Sequence, residues 1–223
     1  MDPAARFAAL LAQEQNGGDG ASLDLMAALI GASFDSDADA DAVVAALDDV
    51  AAECDPTFES ILTTLFGTGR LRGNTDDYSD PRNSYLHEVL HRGLGIPITL
   101  SICAIEVGRR AGVAVVGLGL PGHFLVACDG EIADPFNGGV RYASDQLEST
   151  WQRITGATQT LDPRLLQPID TRSILLRMLN NLKATFVAMD DPAPLRVLAT
   201  LRGAFPELAG ERAEYSRWLR HWN

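Results

Sequence analysis

The spacing of apolar positions predicts a chain made mostly of helices, with one β-rich segment in its second half. Apolar residues recurring every three to four positions, bounded by capping and breaking residues, are the signature of amphipathic helices. They predict helices at about 3–15, from Ser22 onward, 40–53, 57–67, 84–92 and 97–111. After the β-rich segment the pattern predicts helices at about 144–154, 171–190, 193–203 and 209–221.

Three short runs rich in β-branched and aromatic residues predict an antiparallel sheet. The strand candidates are residues 113–118, 123–128 and 131–136. Asp129-Gly130 separates the last two runs and is typical of a two-residue hairpin turn. Such a turn would pair Cys128 with Glu131. The register of this hairpin decides which side chains meet across it.

That register predicts one pair with chemical potential, His123 and Asp134. Counting back from the turn places them diagonally adjacent on one face of the sheet, since positions two apart share a face. A carboxylate so placed can orient an imidazole and stabilise its charged form. Two alternatives remain open. In the first, His123 is only a strand-end histidine and Asp134 only supports the Asp-Pro turn. In the second, a loop one residue longer or shorter puts the two side chains on opposite faces of the sheet.

The sequence provides no evident nucleophile for this pair. A thiol at the N-terminus of the helix starting at Pro97 would have a lowered pKa, but that first turn contains no cysteine. Cys103 lies about 9 Å further along the helix and on another face, and Ser101 lies about 6 Å along it. The pairing rule puts Cys128 on the sheet face opposite His123. We expect Cys103 and Cys128 to be small buried apolar residues.

Composition and charge narrow the possible partners. The 223 residues are 46% hydrophobic and 22% charged, which is ordinary for a globular protein. The formal net charge of -12 is concentrated in residues 1–60, which hold thirteen acidic residues and one base, Arg6. The remainder is balanced. An acidic N-terminal segment and a neutral body argue against nucleic acid as a partner.

Targeting and metal-binding signals are also lacking in the sequence. No signal peptide and no apolar run long enough for a membrane span is visible. The three cysteines lack zinc-site spacing, so we expect free thiols in a reducing cytoplasm, and no cofactor. The stretch 35–41 resembles a calcium loop, but Ala40 and Ala46 occupy the positions that need Gly and Glu. We interpret it as an acidic turn capping the next helix, and predict no metal site.

Several ordered motifs between residues 57 and 140 resemble the transglutaminase-like superfamily, and specifically its SirB-type bacterial branch. They are Arg72-Gly73-Asn74, Asp77-Tyr78, Asp80-Pro81-Arg82-Asn83-Ser84-Tyr85-Leu86, Gly95-Ile96-Pro97-Ile98-Thr99-Leu100-Ser101, Pro121-Gly122-His123-Phe124-Leu125 and Asp134-Pro135-Phe136-Asn137-Gly138-Gly139. The segment 174–183 resembles the start of the tetratricopeptide-like helical tail that follows this core, here cut short.

The resemblance implies an α+β fold with a papain/transglutaminase-like core, in which a central helix packs on a small antiparallel sheet. Its implied organisation is an acidic N-terminal helical layer at 1–56, the core at 57–143 and a helical segment at 144–223. Active relatives carry a Cys-His-Asp triad, whose last two members match His123 and Asp134. The cysteine slot falls at or beside Pro97, and no cysteine is there.

Three functional hypotheses follow. The first is a non-catalytic, regulatory module that binds a protein or peptide in the former cleft. The second is a slow hydrolase or amidase in which His123 acts on water and Asp134 orients it. The third is a purely structural or regulatory module. The first hypothesis assigns the cleft's polar contacts to a set of five residues: Asn74, Asp80, Arg82, Asn83 and Asn137.

Overall fold

The computed structural model describes residues 1–15, 21–143 and 145–211, and it is a mixed helix and sheet fold. This agrees with a transglutaminase-like α+β core. The described α-helices are α1 (Pro3–Gln15), α2 (Leu23–Ala32), α3 (Ala40–Ala52), α4 (Phe58–Leu62), α5 (Leu86–Arg92), α6 (Pro97–Arg110), α7 (Leu147–Thr155), α8 (Thr171–Met189) and α9 (Pro192–Gly203).

The strands form two separate sheets. β1 (Arg72–Gly73) pairs in parallel with β2 (Leu94–Gly95). An antiparallel four-stranded sheet has the order β3 (Val116–Leu118), β4 (Leu125–Cys128), β5 (Glu131–Asp134) and β6 (Val140–Tyr142). Helix α6 packs against β3 and β4. Its N-terminus at Pro97 is therefore fixed relative to this sheet.

The predicted hairpin register is confirmed. Cys128 pairs with Glu131 across a two-residue turn. Asp129 and Gly130 both adopt positive φ, at 50° and 87°. Two successive positive φ angles are what a type I′ hairpin turn requires, and Asp-Gly meets this need at little steric cost. The local turn chemistry therefore sets the register along β4 and β5.

The four-stranded sheet separates two apolar clusters. Phe124, Val126 and Ala133 belong to the main core, together with buried residues from all three predicted segments of the chain. Leu125 and Ile132 belong to a smaller cluster with residues of α7 and the segment after it. The alternation along β4 and β5 is expected for strands buried on both faces. The three-segment organisation itself stays a prediction.

Several predicted elements differ in extent from the structure. The three predicted strands are shorter, because the chain turns at Gly122 before β4 and at the Asp-Pro step after β5. The predicted helix at 57–67 is α4 followed by a π-helical turn at Thr63–Gly67. The segment 70–83, between two predicted helices, contains β1 and part of a 3₁₀ turn at Pro81–Ser84. The predicted helix at 209–221 lies almost entirely outside the described residues.

The acidic turn before α3 caps that helix, as the sequence predicted. The Asp39 side chain accepts hydrogen bonds from the backbone N–H groups of Asp41 and Ala42, which lie in the first turn of α3. Such a cap satisfies donors that the helix leaves free and places negative charge at its positive end. Asp39 therefore stabilises the start of the helix.

A buried ionic cluster joins α2, α3 and α6. The Arg110 guanidinium pairs with Asp24, with Glu106 at 2.9 Å and with Asp48 at 2.5 Å. Asp24 and Glu106 are almost completely buried. Burial and the nearby Asp24 carboxylate raise the pKa of Glu106 above its ordinary value. Arg110 is thus the cation that allows two buried carboxylates to coexist in this core.

Replacing this cation should strongly destabilise the fold. We expect Arg110→Met to lower the free energy of unfolding by about 3–5 kcal/mol, because buried carboxylates lose their partner. Arg109→Met is the matched control, since the Arg109 side chain is 55% exposed and also pairs with Glu106. Its cost should be below about 1 kcal/mol. Urea unfolding of both variants measures the difference, and equal losses would contradict the cluster's assigned role.

Candidate functional site

The carboxylate of Asp134 lies at the end of β5 and is completely buried. Its Oδ2 is 2.8 Å from Nε2 of His123 and also accepts hydrogen bonds from the Asn137 amide at 2.7 Å and the Tyr142 hydroxyl at 2.9 Å. Its Oδ1 accepts from the backbone N–H groups of Phe136 at 3.0 Å and Asn137 at 3.2 Å. The structure thus joins the predicted His123–Asp134 pair and adds Asn137 to it.

These donors stabilise the ionised form of Asp134. Burial alone would raise the pKa of a carboxyl group, but the hydrogen bonds from His123, Asn137 and Tyr142 and the charge of His123 outweigh it. The pKa of Asp134 therefore lies below its ordinary value. Burial and the same carboxylate raise the pKa of Tyr142, which remains a hydrogen-bond donor. The result is a fixed anion behind the imidazole.

The imidazole of His123 lines a small cavity. His123 is 6% exposed, and among the described residues its Nδ1 has no hydrogen-bond partner. The cavity has a volume of about 110 Å³ and lies beside the N-terminus of α6. We call it the Pro97 cavity, and it is lined by Tyr78, Pro97, Ile98, Gly122, His123, Phe124, Arg177 and Asn181. The position matching the family's cysteine slot therefore opens to His123 but offers no side-chain nucleophile.

Helix α8 forms the wall of this cavity opposite the sheet. The Arg177 guanidinium donates to the carbonyl oxygens of Gly119 at 3.0 Å, Leu120 at 2.7 Å and His123 at 3.1 Å. It also lies 5.5 Å from the centroid of the Phe124 ring. These contacts hold the turn that carries His123 against α8. A residue from the C-terminal helical segment thus positions the imidazole.

Asn74 and Asn83 organise the loop that borders the cavity. The Asn74 amide donates to Asn83 Oδ1 at 3.0 Å, and the Asn83 amide donates to the carbonyl oxygen of Asp77 at 2.7 Å. Thr99 of α6 donates to the Asn83 carbonyl oxygen at 2.8 Å. Both asparagine side chains are buried. The structure gives them roles in fixing the loop, and their contribution to ligand binding stays a prediction.

Asp80 lines a second, larger cavity, and Arg82 forms an ion pair with it. The Asp80 side chain pairs with Arg82 at 2.8 Å and with Arg92 at 3.3 Å. Although burial opposes it, the Arg82 hydrogen bonds keep the pKa of Asp80 below its ordinary value. The Arg82 side chain is 58% exposed and does not line the cavity. Of these two predicted binding residues, the cavity wall contains Asp80.

This larger cavity, which we call the α8 groove, has a volume of about 430 Å³. It shares Tyr78 and Asn181 with the Pro97 cavity. The two spaces therefore adjoin along α8. The walls of the groove are Tyr78, Ser79, Asp80, Ser84, Ile96, Asn181, Ala184, Thr185, Ala188 and Met189.

The cysteines lie outside both cavities. Cys103 is fully buried in the main core, and burial raises the pKa of its thiol to about 12. Burial and nearby Asp129 raise the pKa of the Cys128 thiol. Ser101 is buried with its hydroxyl unpartnered and lines neither cavity. None of these groups is in place to attack a substrate bound beside His123.

One group of possible metal ligands lies elsewhere among the described residues. One ligand atom each from Asp35, His87 and Glu88 lies within 4.8 Å of the others. His87 Nε2, however, lies 3.0 Å from Asp35, and His87 Nδ1 is buried without a partner. Binding a metal through Nε2 would move the ring proton to Nδ1, where nothing accepts it. The arrangement fits an Asp35–His87 contact better than a metal site.

Sequence reasoning missed Tyr142, Arg177 and Asn181. Tyr142 lies in β6, a strand of three residues with two of them exposed, which is too short to be recognised from its pattern. Arg177 and Asn181 are one helical turn apart on α8, and their spacing places them on one face of that helix. The local sequence pattern does not show which face of α8 contacts the rest of the fold. The run Arg177-Met-Leu-Asn-Asn181 lies in the segment that the resemblance assigns to the helical tail.

Acid should remove the stabilisation that Asp134 provides. Because its folded-state pKa is lowered, this stabilisation is full above the unfolded pKa of about 3.9 and falls as pH drops through the folded value. We expect Asp134→Asn to cost about 1–3 kcal/mol at pH 7, with a smaller cost at acid pH. Glu131→Gln, on the same strand with a side chain 58% exposed, is the control. Urea unfolding across pH measures both, and a cost that does not shrink in acid would contradict the assignment.

Curated relatives are similar in sequence to part of this chain. A UPF0162 protein of Xylella fastidiosa strain Temecula1 is 42% identical over 125 residues, covering 53% of this chain and 44% of that protein. A UPF0162 protein of Vibrio cholerae is 29% identical over 135 residues, covering 58% and 50%. Human F-box only protein 21 is 29% identical over 131 residues, covering 53% and 20%. The matched region thus spans half or less of the length of these relatives.

Comparison with solved structures found no significant match. The family model of the transglutaminase-like superfamily, in contrast, matches residues 21–180. This range includes α2 to α6, the four-stranded sheet and the part of α8 that carries Arg177. The match covers more than half of the 223 residues. The chain therefore belongs to the transglutaminase-like superfamily.

Proposed function

We propose that this protein is a transglutaminase-like domain without a nucleophilic cysteine that binds a protein or peptide. The observation that carries the proposal is the Pro97 cavity, which opens to His123 at a helix N-terminus where the side chain is proline. Acyl transfer through a thioester needs a thiolate at that place. The proposal is therefore that the cavity still binds a ligand but has no thiolate to form a covalent bond with it.

The α8 groove supports binding of an extended chain. It adjoins the Pro97 cavity and is walled by apolar and small residues of α8, including Ala184, Ala188 and Met189. Met189 is 54% exposed and Tyr78 is 51% exposed. Exposed apolar side chains beside a groove with a few polar groups are a usual property of peptide-binding sites. We propose that the peptide lies along α8 and reaches the Pro97 cavity.

The finer family assignments belong to the same proposal. The motifs from Arg72 to Gly139 support membership of the SirB-type branch, and α6 packed on β3 and β4 supports a papain-like core. Helices α8 and α9 pack together across a turn at Asp190-Asp191, which supports a tetratricopeptide-like start to the C-terminal segment. No described helix is long and apolar enough to cross a membrane. The free thiols of the described cysteines support a cytoplasmic location.

A capture experiment with paired variants tests the docking groove. We expect Ala184→Trp to abolish retention of partners that the wild-type chain retains, because the indole fills the groove. Val187→Trp is the control, since Val187 is 45% exposed on the same helix but lines neither cavity. Each retained protein is then purified and its affinity measured against both variants. Equal affinity for wild type and Ala184→Trp would contradict docking in the groove.

The alternative function is a slow hydrolase or amidase, and one observation favours it. Asp134 holds Nε2 of His123, Nδ1 has no partner among the described residues and the ring lines the Pro97 cavity, which is the arrangement of a general base. Our proposal predicts that the wild-type chain hydrolyses amide and ester panels no faster than His123→Ala. The measurement is product formation by mass spectrometry. Turnover in the wild type that disappears in His123→Ala would establish the hydrolase instead.

A further inference from the structure

The Pro97 cavity is lined by the cationic side chain of Arg177 and by no acidic residue that the structure describes. Arg177 has no carboxylate partner among the residues at 1–15, 21–143 and 145–211, and its Nη1 and Nη2 groups donate to three neutral carbonyl oxygens. Burial without a counter-charge lowers the pKa of this guanidinium. A half-buried arginine is usually paired with an anion. An anionic ligand would supply the partner that Arg177 lacks in the described part of the chain.

Two further residues with potential donors, His123 and Ile98, line the same space. Nδ1 of His123, which is 6% exposed, has no partner among the described residues. When the ring is charged, Nδ1–H is a donor towards the cavity while Asp134 accepts from Nε2. Ile98 lies in the first turn of the 14-residue helix α6, where backbone N–H groups have no acceptor within the helix. The helix dipole adds partial positive charge there.

The carboxylate of Asp134 pairs with the His123 imidazole but does not line this cavity. It accepts five hydrogen bonds from described groups and lies behind the imidazole, away from the cavity walls. Asp80 lines the adjoining groove but is paired with Arg82 and Arg92. The Pro97 cavity itself is lined by no acidic residue. An incoming anion would therefore meet donors and no competing carboxylate.

We propose that the Pro97 cavity binds the C-terminal carboxylate of a peptide whose preceding residues lie in the α8 groove. This rests on the proposed docking function and names its ligand chemistry. A volume of about 110 Å³ is large enough for a carboxylate and the final residue's backbone but too small for a longer stretch of chain. The groove continues from Tyr78 and Asn181, so the residues before the terminus leave along α8. Ala184, Ala188 and Met189 favour small or apolar side chains there.

Nuclear magnetic resonance with matched probes tests this assignment. The probes are the peptide N-acetyl-Ala-Leu-Ala-Ala with a free C-terminus, the same peptide as its C-terminal amide, and acetate. The chain has four histidines, so the imidazole signals of His123 are identified by comparison with His123→Gln. We expect the free acid to shift these signals and to bind at least about tenfold more tightly than the amide. A charge-assisted hydrogen bond supplies that factor.

Variants locate the binding site. Arg177→Gln should weaken binding of the free acid by at least about tenfold and leave the amide's weak binding unchanged. Arg177→Lys should recover part of the affinity, because it restores the charge. Asn181→Leu narrows the cavity without removing the contacts that Arg177 makes to the 119–123 turn, so it covers the case in which Arg177→Gln disturbs the fold. Arg164→Gln, with a side chain 89% exposed and outside both cavities, is the control.

The outcomes separate this inference from the function on which it rests. Equal binding of acid and amide in the groove would overturn carboxylate recognition while leaving the docking groove in place. Acetate binding as tightly as the peptide acid would overturn the peptide assignment, since the groove would then contribute nothing. No shift of the His123 signals with any probe would overturn the inference, and the capture experiment would then decide the docking function by itself.

Discussion

The buried carboxylate of Asp134 is the constraint on which the site depends. A carboxylate removed from water needs its lone pairs satisfied, and here five described groups donate to it. Those donors come from the turn before β4, the turn after β5 and β6. One anion therefore links three segments that the antiparallel sheet brings together. The orientation of His123 is one consequence, and the shape of the cavity wall is another.

Much of this arrangement was predictable because it follows from local chemistry. Asp129-Gly130 selects a type I′ turn, the turn selects the register, and the register brings His123 next to Asp134. Asp39 and Pro97 mark helix starts in the same local manner. A feature of this kind depends on a few adjacent residues. It can therefore be recognised before the rest of the fold is known.

The remainder depends on contacts between distant parts of the chain. Tyr142 lies in an edge strand of three residues, too short to be recognised from its pattern, and its role exists only because β6 pairs with β5. The motif predicts that Asn83 contacts a ligand, which stays a prediction; the structure adds that its carbonyl oxygen accepts from Thr99 and its amide donates to the loop. A polar residue within a motif has the same sequence whether it faces a ligand or supports a turn. Burial separates the two cases, and burial is a property of the whole fold.

Helix α8 changes the meaning of the missing cysteine. In the sequence, the absence of a thiol at Pro97 removes a function and leaves three hypotheses open for what remains. In the structure, Arg177 anchors the turn of His123 to α8 and brings a cation without a carboxylate partner, among the described residues, to the space beside Pro97. The features that would stabilise a developing oxyanion in an acyl-transfer site are donors and positive charge at a helix N-terminus. Without a nucleophile these same features favour a ligand that already carries its negative charge. The proposed absence of thiol chemistry and the proposed anion recognition therefore rest on one local arrangement.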